Sequence, residues 1–282
     1  MINKFLLFAF CSVLVAPLTL KAQEANEKAI DQRLAREAPP SNLIQFKKRI
    51  NYLNCEIVRL FELSRSGDVP KDVDYDDSIA AVNYELSSYL EVNLPRLPQT
   101  MTARASGFGV DVNASPDGRV REWEWDTHLG GTMPHYNQIL EYKTPSAIRV
   151  HQGSITKGSD MDNSWYQKIY SVRRSDGSVI YIPLQGWKGD SRTFGQIISA
   201  FTIADTGLVT VIPIFQTRKA LLNEINLNFP EDLGKYESHN ITLRDGGQKL
   251  LVPLVTAKDR MTGKYLCYQF DGDHYVYSGV AK

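Results

Sequence analysis

The feature that most constrains the fold is a change of pattern near residue 102. From there to the C-terminus, short runs rich in Val, Ile, Tyr and Thr alternate with clusters of Gly, Asp, Asn and Ser. Such runs are typical of β-strands, and such clusters are typical of tight turns. Thirteen strands are predicted, at residues 107–112, 119–126, 139–142, 147–151, 165–172, 179–184, 197–203, 208–215, 222–227, 241–243, 250–255, 265–270 and 275–277.

The turns between these runs indicate antiparallel neighbours. The tetrapeptide Ser-Pro-Asp-Gly at 115–118 suits a type I turn, and 175–177 and 245–247 contain the Asp-Gly pair of hairpins. The turn glycines are unevenly spaced, whereas a propeller or solenoid requires a fixed period. We therefore expect residues 101–282 to form one large antiparallel β domain of meander or sandwich type.

An amphipathic helix is predicted before this domain, at residues 41–65. Ser41 is a suitable N-cap and Gly67 a suitable stop. Its apolar residues recur every three or four positions, at Leu43, Phe46, Ile50, Leu53, Ile57, Leu60 and Phe61.

A second helix is predicted at residues 78–91, capped by Asp77 or Ser78 and ended by Pro95. Its apolar face consists of Ile79, Val82, Leu86 and Tyr89. The pair predicts a helical hairpin within an N-terminal region at 23–100. Helices followed by strands are typical of an α+β fold, so the predicted order is a helical hairpin and then the antiparallel β domain.

A secretory signal peptide is predicted at residues 1–22. Lys4 provides a basic start, an apolar run covers 5–20, and the small residue Ala22 suits cleavage. Pro17 interrupts the run, which is shorter than the ~20 apolar residues of a membrane span. We expect export to the periplasm or the extracellular space, without a stable membrane span after leader removal.

The cysteines leave two alternatives open. A lipid anchor would modify Cys11, but Phe10 is bulky where that modification needs a small residue, so soluble export is favoured. Cys55 and Cys267 remain after the leader. They either form a disulfide between the helical and β regions or stay as free thiols that pack as small hydrophobic groups. Neither has a Cys or His neighbour at zinc spacing, so no metal site is predicted.

Charge and motif content disfavour several function classes. The chain has 32 Lys and Arg against 32 Asp and Glu, and its basic stretches are short, so no nucleic-acid partner is predicted. It contains no P-loop, dinucleotide fingerprint or nucleophile elbow, so no cofactor is predicted.

The stretch SPDGRVREWEW begins as a turn and continues as a strand with two unlike faces. One face holds Arg119, Arg121, Trp123 and Trp125, and the other holds Val120, Glu122, Glu124 and Asp126. If the tryptophans point into the core, which large aromatics favour, the carboxylates face water in a one-sided strand. If the tryptophans point outward, they form a platform that stacks on a sugar or another flat ligand.

The loop THLGGTMPH at 127–135 follows this strand. Its paired glycines permit a left-handed or closely approaching backbone, and the surrounding polar side chains suit a cupped site. The alternative is a capped loop that carries surface histidines. The ligand-binding residues predicted on this basis are Arg121, Trp123, Trp125, Asp126, His128, Thr132 and His135.

Two segments, DGRVREWEWDTHLGGTM and LCYQFDGDHYVY, resemble those of a group of uncharacterised exported bacterial proteins. The resemblance implies export and a β-rich C-terminal half. It implies no catalytic residues, because that group has no assigned activity.

The sequence contains candidates for two catalytic arrangements. Gly-Asp-Ser at 189–191 and Asp271 with His274 resemble the GDS and DxxH blocks of SGNH esterases, but Ser191 lies within strands and not at the start of a helix. A glycosidase needs two carboxylates near the scissile bond, and the candidates on one strand face are Glu122, Glu124 and Asp126.

The expected function is that of an exported, non-enzymatic module that binds an unidentified ligand or envelope partner through the β domain. The alternative is a secreted hydrolase, glycosidase- or esterase-like, with a site at residues 123–135. Exposed aromatics without a deep polar pocket would favour the first. A cleft with buried, pKa-shifted acids or histidine would favour the second, the candidates being Glu122, Glu124, Asp126 and His128.

Overall fold

The chain forms two compact units, Met1–Ala103 and Arg104–Lys282. The computed structural model describes residues 23–66, 74–97, 109–153, 163–190, 193–229, 240–256 and 260–282. In these residues the first unit is helical and the second is built from strands, most of them antiparallel. The fold is therefore α+β with a large β domain, as the sequence predicts.

The helical unit contains α1 at residues 23–36, α2 (Leu43–Arg65) and α3 (Tyr75–Asn93), followed by a 3-10 turn, Leu94–Arg96. The predicted stop at Gly67 lies outside the described residues. Helix α2 buries the middle of the predicted stripe, at Phe46, Ile50, Leu53 and Ile57.

Both helix caps differ from the predicted ones. The side chain of Asn42, and not that of Ser41, caps α2 by accepting a 3.0 Å hydrogen bond from the N–H three residues later. Asp74 caps α3 by accepting a 3.1 Å bond from the N–H of Asp77. Helix α3 thus starts earlier than predicted, which places Asp77 and Ser78 inside its first turn. A carboxylate there interacts favourably with the positive end of the helix.

Helix α3 contacts both other helices. The ring of Phe46 on α2 stacks on Tyr89 of α3 with centroids 5.8 Å apart. The carboxylate of Glu85 on α3 accepts a 2.7 Å bond from Arg33 of α1 and a second bond from Arg49 of α2. One acidic side chain therefore joins three helices.

The described part of the second unit has sixteen strands. They are β1 (Asp111–Ala114), β2 (Val120–Asp126), β3 (Tyr136–Lys143), β4 (Ile148–Gln152), β5 (Ser164–Arg173), β6 (Val179–Lys188), β7 (Phe194–Ser199), β8 (Phe201–Ile203), β9 (Val209–Val211), β10 (Phe215–Gln216), β11 (Leu221–Leu222), β12 (Glu224–Phe229), β13 (Thr242–Arg244), β14 (Lys249–Val255), β15 (Met261–Phe270) and β16 (Tyr275–Ala281).

These strands form three sheets. Sheet I has the order β1-β2-β3-β4, sheet II has β12-β7-β6-β8-β9 with β5 also paired to β6, and sheet III has β11-β10-β16-β15-β14-β13. The pairs are antiparallel except for β10 with β16, which is parallel. Sheet I consists of four consecutive antiparallel strands, as expected for a meander.

Three predicted runs are each divided in two. The run 197–203 gives β7 and β8, because the chain breaks its pairing at Ala200 while both halves stay on β6. The run 208–215 gives β9 and β10, separated at Pro213, which has no N–H for a ladder bond. The run 222–227 gives the end of β11 and most of β12, which belong to different sheets.

Sheet II is the middle layer of the β unit and is covered on both faces. Side chains alternate along β6, so that Tyr181 points to one core while Ile180 and Ile182 point to the other. The core between sheets II and III is the larger. The core between sheets I and II contains Val120, Leu140, Tyr142, Tyr166, Ile169, Tyr181 and Phe201.

The predicted turn at 115–118 is present and connects β1 to β2. The N–H of Gly118 donates a 2.9 Å bond to the carbonyl of Ser115, and Gly118 has φ +66°, a conformation that favours glycine. Within the turn, Asp117 accepts a 2.9 Å bond from the hydroxyl of Tyr181 on β6. This contact fixes the start of β2 against sheet II.

Candidate functional site

Strand β2 is the centre of the predicted site and is buried on both faces. Trp123 and Trp125 are almost inaccessible to solvent, at 0% and 2% exposed. The exposed platform is therefore not formed, and the expectation that the tryptophans are buried is confirmed. They lie on the face of β2 opposite to the core between sheets I and II. The companion expectation, that the opposite face of β2 lies in water, is wrong: Glu122 and Glu124 are only 1% and 4% exposed.

The tryptophan face of β2 contains a buried polar network. The indole N–H of Trp123 donates a 3.0 Å bond to Oε2 of Glu141 on β3. The guanidinium of Arg121 lies 3.4 Å from the other oxygen of the same carboxylate. Since all three side chains are buried, these groups satisfy one another, as buried polar groups must. Arg121 and Trp123 thus have structural contacts in this unit.

The carboxylate face of β2 packs against β5 of sheet II. The N–H of Tyr166 on β5 donates a 2.7 Å bond to Oε2 of Glu124. The amide of Asn113 on β1 donates a 3.0 Å bond to the carbonyl of Tyr166, and the amide of Gln138 on β3 donates a 2.7 Å bond to the carbonyl of Ser164. Three side chains of sheet I therefore bond to the main chain of β5.

The carboxyl of Glu122 differs from that of Glu124 in its hydrogen bonding. Neither of its oxygens has a hydrogen-bond partner of good geometry in the described residues. Burial raises the pKa of Glu122 well above its usual value, the charge of Glu124 raises it further, and the nearby Asn113 amide lowers it in part. Burial raises the pKa of Glu124 to about 8, although the Tyr166 N–H lowers it and Asp111 raises it. Both carboxyls are therefore held largely in the neutral form at pH 7.

The loop between β2 and β3 is closed by the main chain. The N–H of Thr127 donates a 2.7 Å bond to the carbonyl of His135, and Asp126 accepts a 2.8 Å bond from the N–H of His128. His128, and neither of the two glycines, has the left-handed backbone, with φ 57°. At Gly130 the main chain of Met133 approaches too closely for any other residue, because a Cβ there would lie 1.9 Å from the carbonyl oxygen of Met133.

The structure therefore divides the predicted ligand-binding residues into two groups. Arg121, Trp123 and Trp125 are buried, whereas Asp126, His128 and His135 are half-buried and Thr132 is exposed. Within the described ranges, no three His, Cys, Asp or Glu side chains are arranged to hold a metal ion. A ligand role for the second group stays a prediction.

The esterase-like residues are only partly described. Ser191 lies outside the described residues. Asp271 closes the turn between β15 and β16 by accepting bonds from the N–H groups of Asp273 and His274 at 2.9 and 2.8 Å, and these bonds lower its pKa. Asp271 therefore stabilises this turn through the main chain of His274.

Cys55 and Cys267 are both free thiols and do not form a disulfide. Cys55 is exposed on α2 and Cys267 is buried in β15. In the part of the chain that the structure describes, no helix has both the length and the apolar composition needed to cross a membrane.

A groove of about 900 Å³ opens on the β unit, away from the predicted residues. Sheet I contributes Tyr142 and His151, the turn before β9 and β9 itself contribute residues 207–211, and the β11 region contributes Leu221 and Asn223. The groove is thus bordered by β4, β9 and β11, each an end strand of its sheet. The hydroxyl of Tyr142 donates a 3.0 Å bond to the carbonyl of Gly207, which ties one wall to the other.

Among the described strands, none pairs with the outer edge of β9, which borders this groove. On the side of β9 that faces β8, the carbonyl of Leu208 accepts a 2.9 Å bond from the N–H of Ala204. The N–H of Ile212 donates a 3.0 Å bond to the carbonyl of Ala200 on the same side. Because bonding alternates along an antiparallel strand, Val209 and Val211 direct their N–H and C=O groups away from β8. The edge ends at Pro213, the next outward position, which has no N–H.

The groove was missed because no local motif marks it. Its two signals in the sequence are a Val-Thr-Val run that precedes a proline and the apolar residue Leu208 within a turn. Leu208 is 65% exposed and Leu221 is 38% exposed, which is unusual for large apolar side chains that lie together at one opening.

Comparison of the chain with protein-family models, with curated protein sequences and with solved structures finds no significant match.

Proposed function

We propose that this protein is an exported, non-enzymatic binding module in which a helical hairpin precedes the β unit, and that the groove binds an extended peptide segment of a partner along β9. The observation that carries the proposal is the outer edge of β9, which no described strand pairs with and which borders a groove of about 900 Å³. An extended peptide would add a strand to sheet II through bonds to Val209 and Val211. The leader-like residues 1–22 support export.

The chemistry of the walls specifies the peptide class. None of the described lining residues is Asp, Glu, Lys or Arg, and Leu208, Leu221 and the edge valines supply apolar surface. Side chains of an added strand point alternately to its two faces. The segment that fits is therefore uncharged along the bound stretch and has apolar residues at every second position.

The test compares two edge substitutions. Val211→Pro removes one outward N–H from β9, where an edge strand tolerates proline. Val150→Pro is the matched control: Val150 is the corresponding outward residue on β4, because its neighbours at 149 and 151 bond to β3, and it is not part of the groove lining. Peptides are selected on the full chain from a displayed library of random dodecapeptides and are then titrated by calorimetry.

Selected peptides should bind the unsubstituted chain and should bind Val211→Pro about tenfold more weakly, as expected for loss of one hydrogen bond of about 1.4 kcal/mol. Val150→Pro should leave the affinity unchanged. The proposal fails if no peptide is enriched, or if both proline variants bind equally well.

A second candidate is a hydrolase that uses Glu122 and Glu124, and their raised pKa favours it, since a general acid needs a protonated carboxyl near neutral pH. Burial of both carboxyls weighs against it, because a substrate must reach them. The test measures turnover of a panel of nitrophenyl glycosides and esters by the unsubstituted chain and by Glu124→Gln. Turnover that Glu124→Gln abolishes would support the hydrolase.

A further inference from the structure

The carboxyls of Glu122 and Glu124 lie in the layer between sheet I and β5. Both are on the face of β2 that packs against Tyr166, and their partners on β1 are Asn113 and Asp111, respectively. Their partners on β3 are neutral. The carboxyl of Glu122 is buried without a hydrogen-bond partner of good geometry in the described residues, so its surroundings suit a neutral carboxyl and not a carboxylate.

The groups that face this pair do not supply a balancing positive charge. The titratable side chains nearest the pair on this face are Asp111 of β1, Asp126 of β2, Tyr136 of β3 and Tyr166 of β5, and each of these is acidic or neutral. The basic side chains of β5, Lys168 and Arg173, are exposed, and Arg121 of β2 is paired with Glu141 on the opposite face. The basic residues paired on this face of sheet I are Arg149 and His151 of β4. They are two strands away, roughly 10 Å at the usual strand spacing.

We propose that Glu122 and Glu124 form a pH-sensitive latch between sheet I and β5. With both carboxyls protonated, β5 packs against sheet I and the Tyr166 N–H remains bonded to Glu124. When the carboxyls release their protons to solvent, two adjacent negative charges lie in a buried layer, and the interface loosens to admit water. This device is independent of the peptide groove.

Two further features support the latch. Burial raises the pKa of Glu124 to about 8 and that of Glu122 well above its usual value, so the change of state falls above neutral pH. The contact is also long-range, because Glu124 and Tyr166 belong to different sheets. Loosening it therefore separates layers of the unit and not merely two neighbours in sequence.

The latch is tested by hydrogen exchange of the full chain, followed by mass spectrometry at pH 6 and pH 9 with correction for intrinsic exchange. Peptides that cover β5 should exchange at least about tenfold faster at pH 9, while α3 serves as the internal reference. The double variant Glu122→Gln/Glu124→Gln cannot ionise at these positions and should show less than about a twofold change in β5.

The latch is wrong if the double variant and the unsubstituted chain show the same pH dependence in β5. It is also wrong if β5 of the unsubstituted chain exchanges equally at both pH values. Should the double variant fail to fold, Glu122→Gln alone is decisive, because it removes one of the two charges and must reduce the ratio measured in β5. The pH profile distinguishes the latch from a purely structural role, which would shift exchange equally at both pH values.

Discussion

The N–H of Tyr166 donates a 2.7 Å hydrogen bond to the carboxyl of Glu124, which connects the main chain of β5 in sheet II to a side chain of sheet I. Glu122 lies on the same face of the same strand, yet no hydrogen bond of good geometry reaches its oxygens from the described residues. Two glutamates at equal depth therefore make opposite contributions: one satisfies a buried donor, and the other is itself unsatisfied.

Replacement by methionine should separate these contributions. Glu122→Met exchanges an unsatisfied buried carboxyl for an apolar side chain of similar length, so we expect the free energy of unfolding at pH 8 to rise by about 1 to 3 kcal/mol. Glu124→Met leaves the Tyr166 N–H without its acceptor, so at pH 5 it should lower that free energy by about 1 to 2 kcal/mol. Urea denaturation of both variants measures the difference, and equal effects of the two would refute it.

Stability should also depend on pH in the direction opposite to that of an ordinary ion-paired carboxylate. The pKa of Glu124 is about 8 in the folded chain against 4.5 as the ordinary value, so between these limits the folded state holds more protons than the unfolded state. The free energy of unfolding must then fall as pH rises, by up to about 1.4 kcal/mol per pH unit for each such group. Urea midpoints from pH 5 to 8 should decline, and the decline should be smaller in Glu122→Met/Glu124→Met.

Local sequence was sufficient for the elements around this interface and insufficient for its burial. Alternation and the Pro-Asp-Gly turn locate β2 to within one residue, because both act between near neighbours. The packing of Glu122 against β5, however, depends on how sheets I and II stack. The side chains of β2 give no sign of this, since three acids in alternation are normally a solvated face.

The groove illustrates a different limit. It exists because β4, β9 and β11 end three separate sheets beside one another, and no pattern along the chain encodes which strands become edges. Sheet II does have a signal in the sequence: the continuous apolar run at 179–184 is typical of a strand covered on both faces. Its place as the middle layer follows from that run together with the two cores.

The ion pair on the other face of β2 should behave unlike Glu122. Glu141 accepts from the indole of Trp123 and lies 3.4 Å from the guanidinium of Arg121. Glu141→Leu removes the carboxylate from a buried cation, and we expect a loss of about 3 kcal/mol in the free energy of unfolding. The double variant Arg121→Met/Glu141→Leu should recover part of that loss. Denaturation of the three proteins tests this, and a double variant less stable than Glu141→Leu would contradict it.

The two free cysteines should differ in reactivity. Cys55 is exposed on α2, whereas Cys267 is buried in β15. In a chain that lacks residues 1–22, a thiol reagent such as dithionitrobenzoate should modify one thiol rapidly and the second only after denaturation. Cys55→Ser should abolish the rapid phase, and Cys267→Ser should leave it intact. Two rapid phases in the native protein would be inconsistent with the burial of Cys267.

The adjacent glycines of the loop after β2 provide a matched pair. An added Cβ at Gly130 would lie 1.9 Å from the carbonyl oxygen of Met133, while one at Gly131 would meet nothing within 4 Å. The obstructing atom belongs to the main chain, so the loop must shift, and with it the bond from Thr127 to His135 that closes it. We expect Gly130→Ala to lower the free energy of unfolding by at least about 2 kcal/mol and Gly131→Ala to change it by less than about 0.5 kcal/mol. Thermal denaturation of the two variants makes the comparison, and equal melting temperatures would show that the loop does not depend on this close approach.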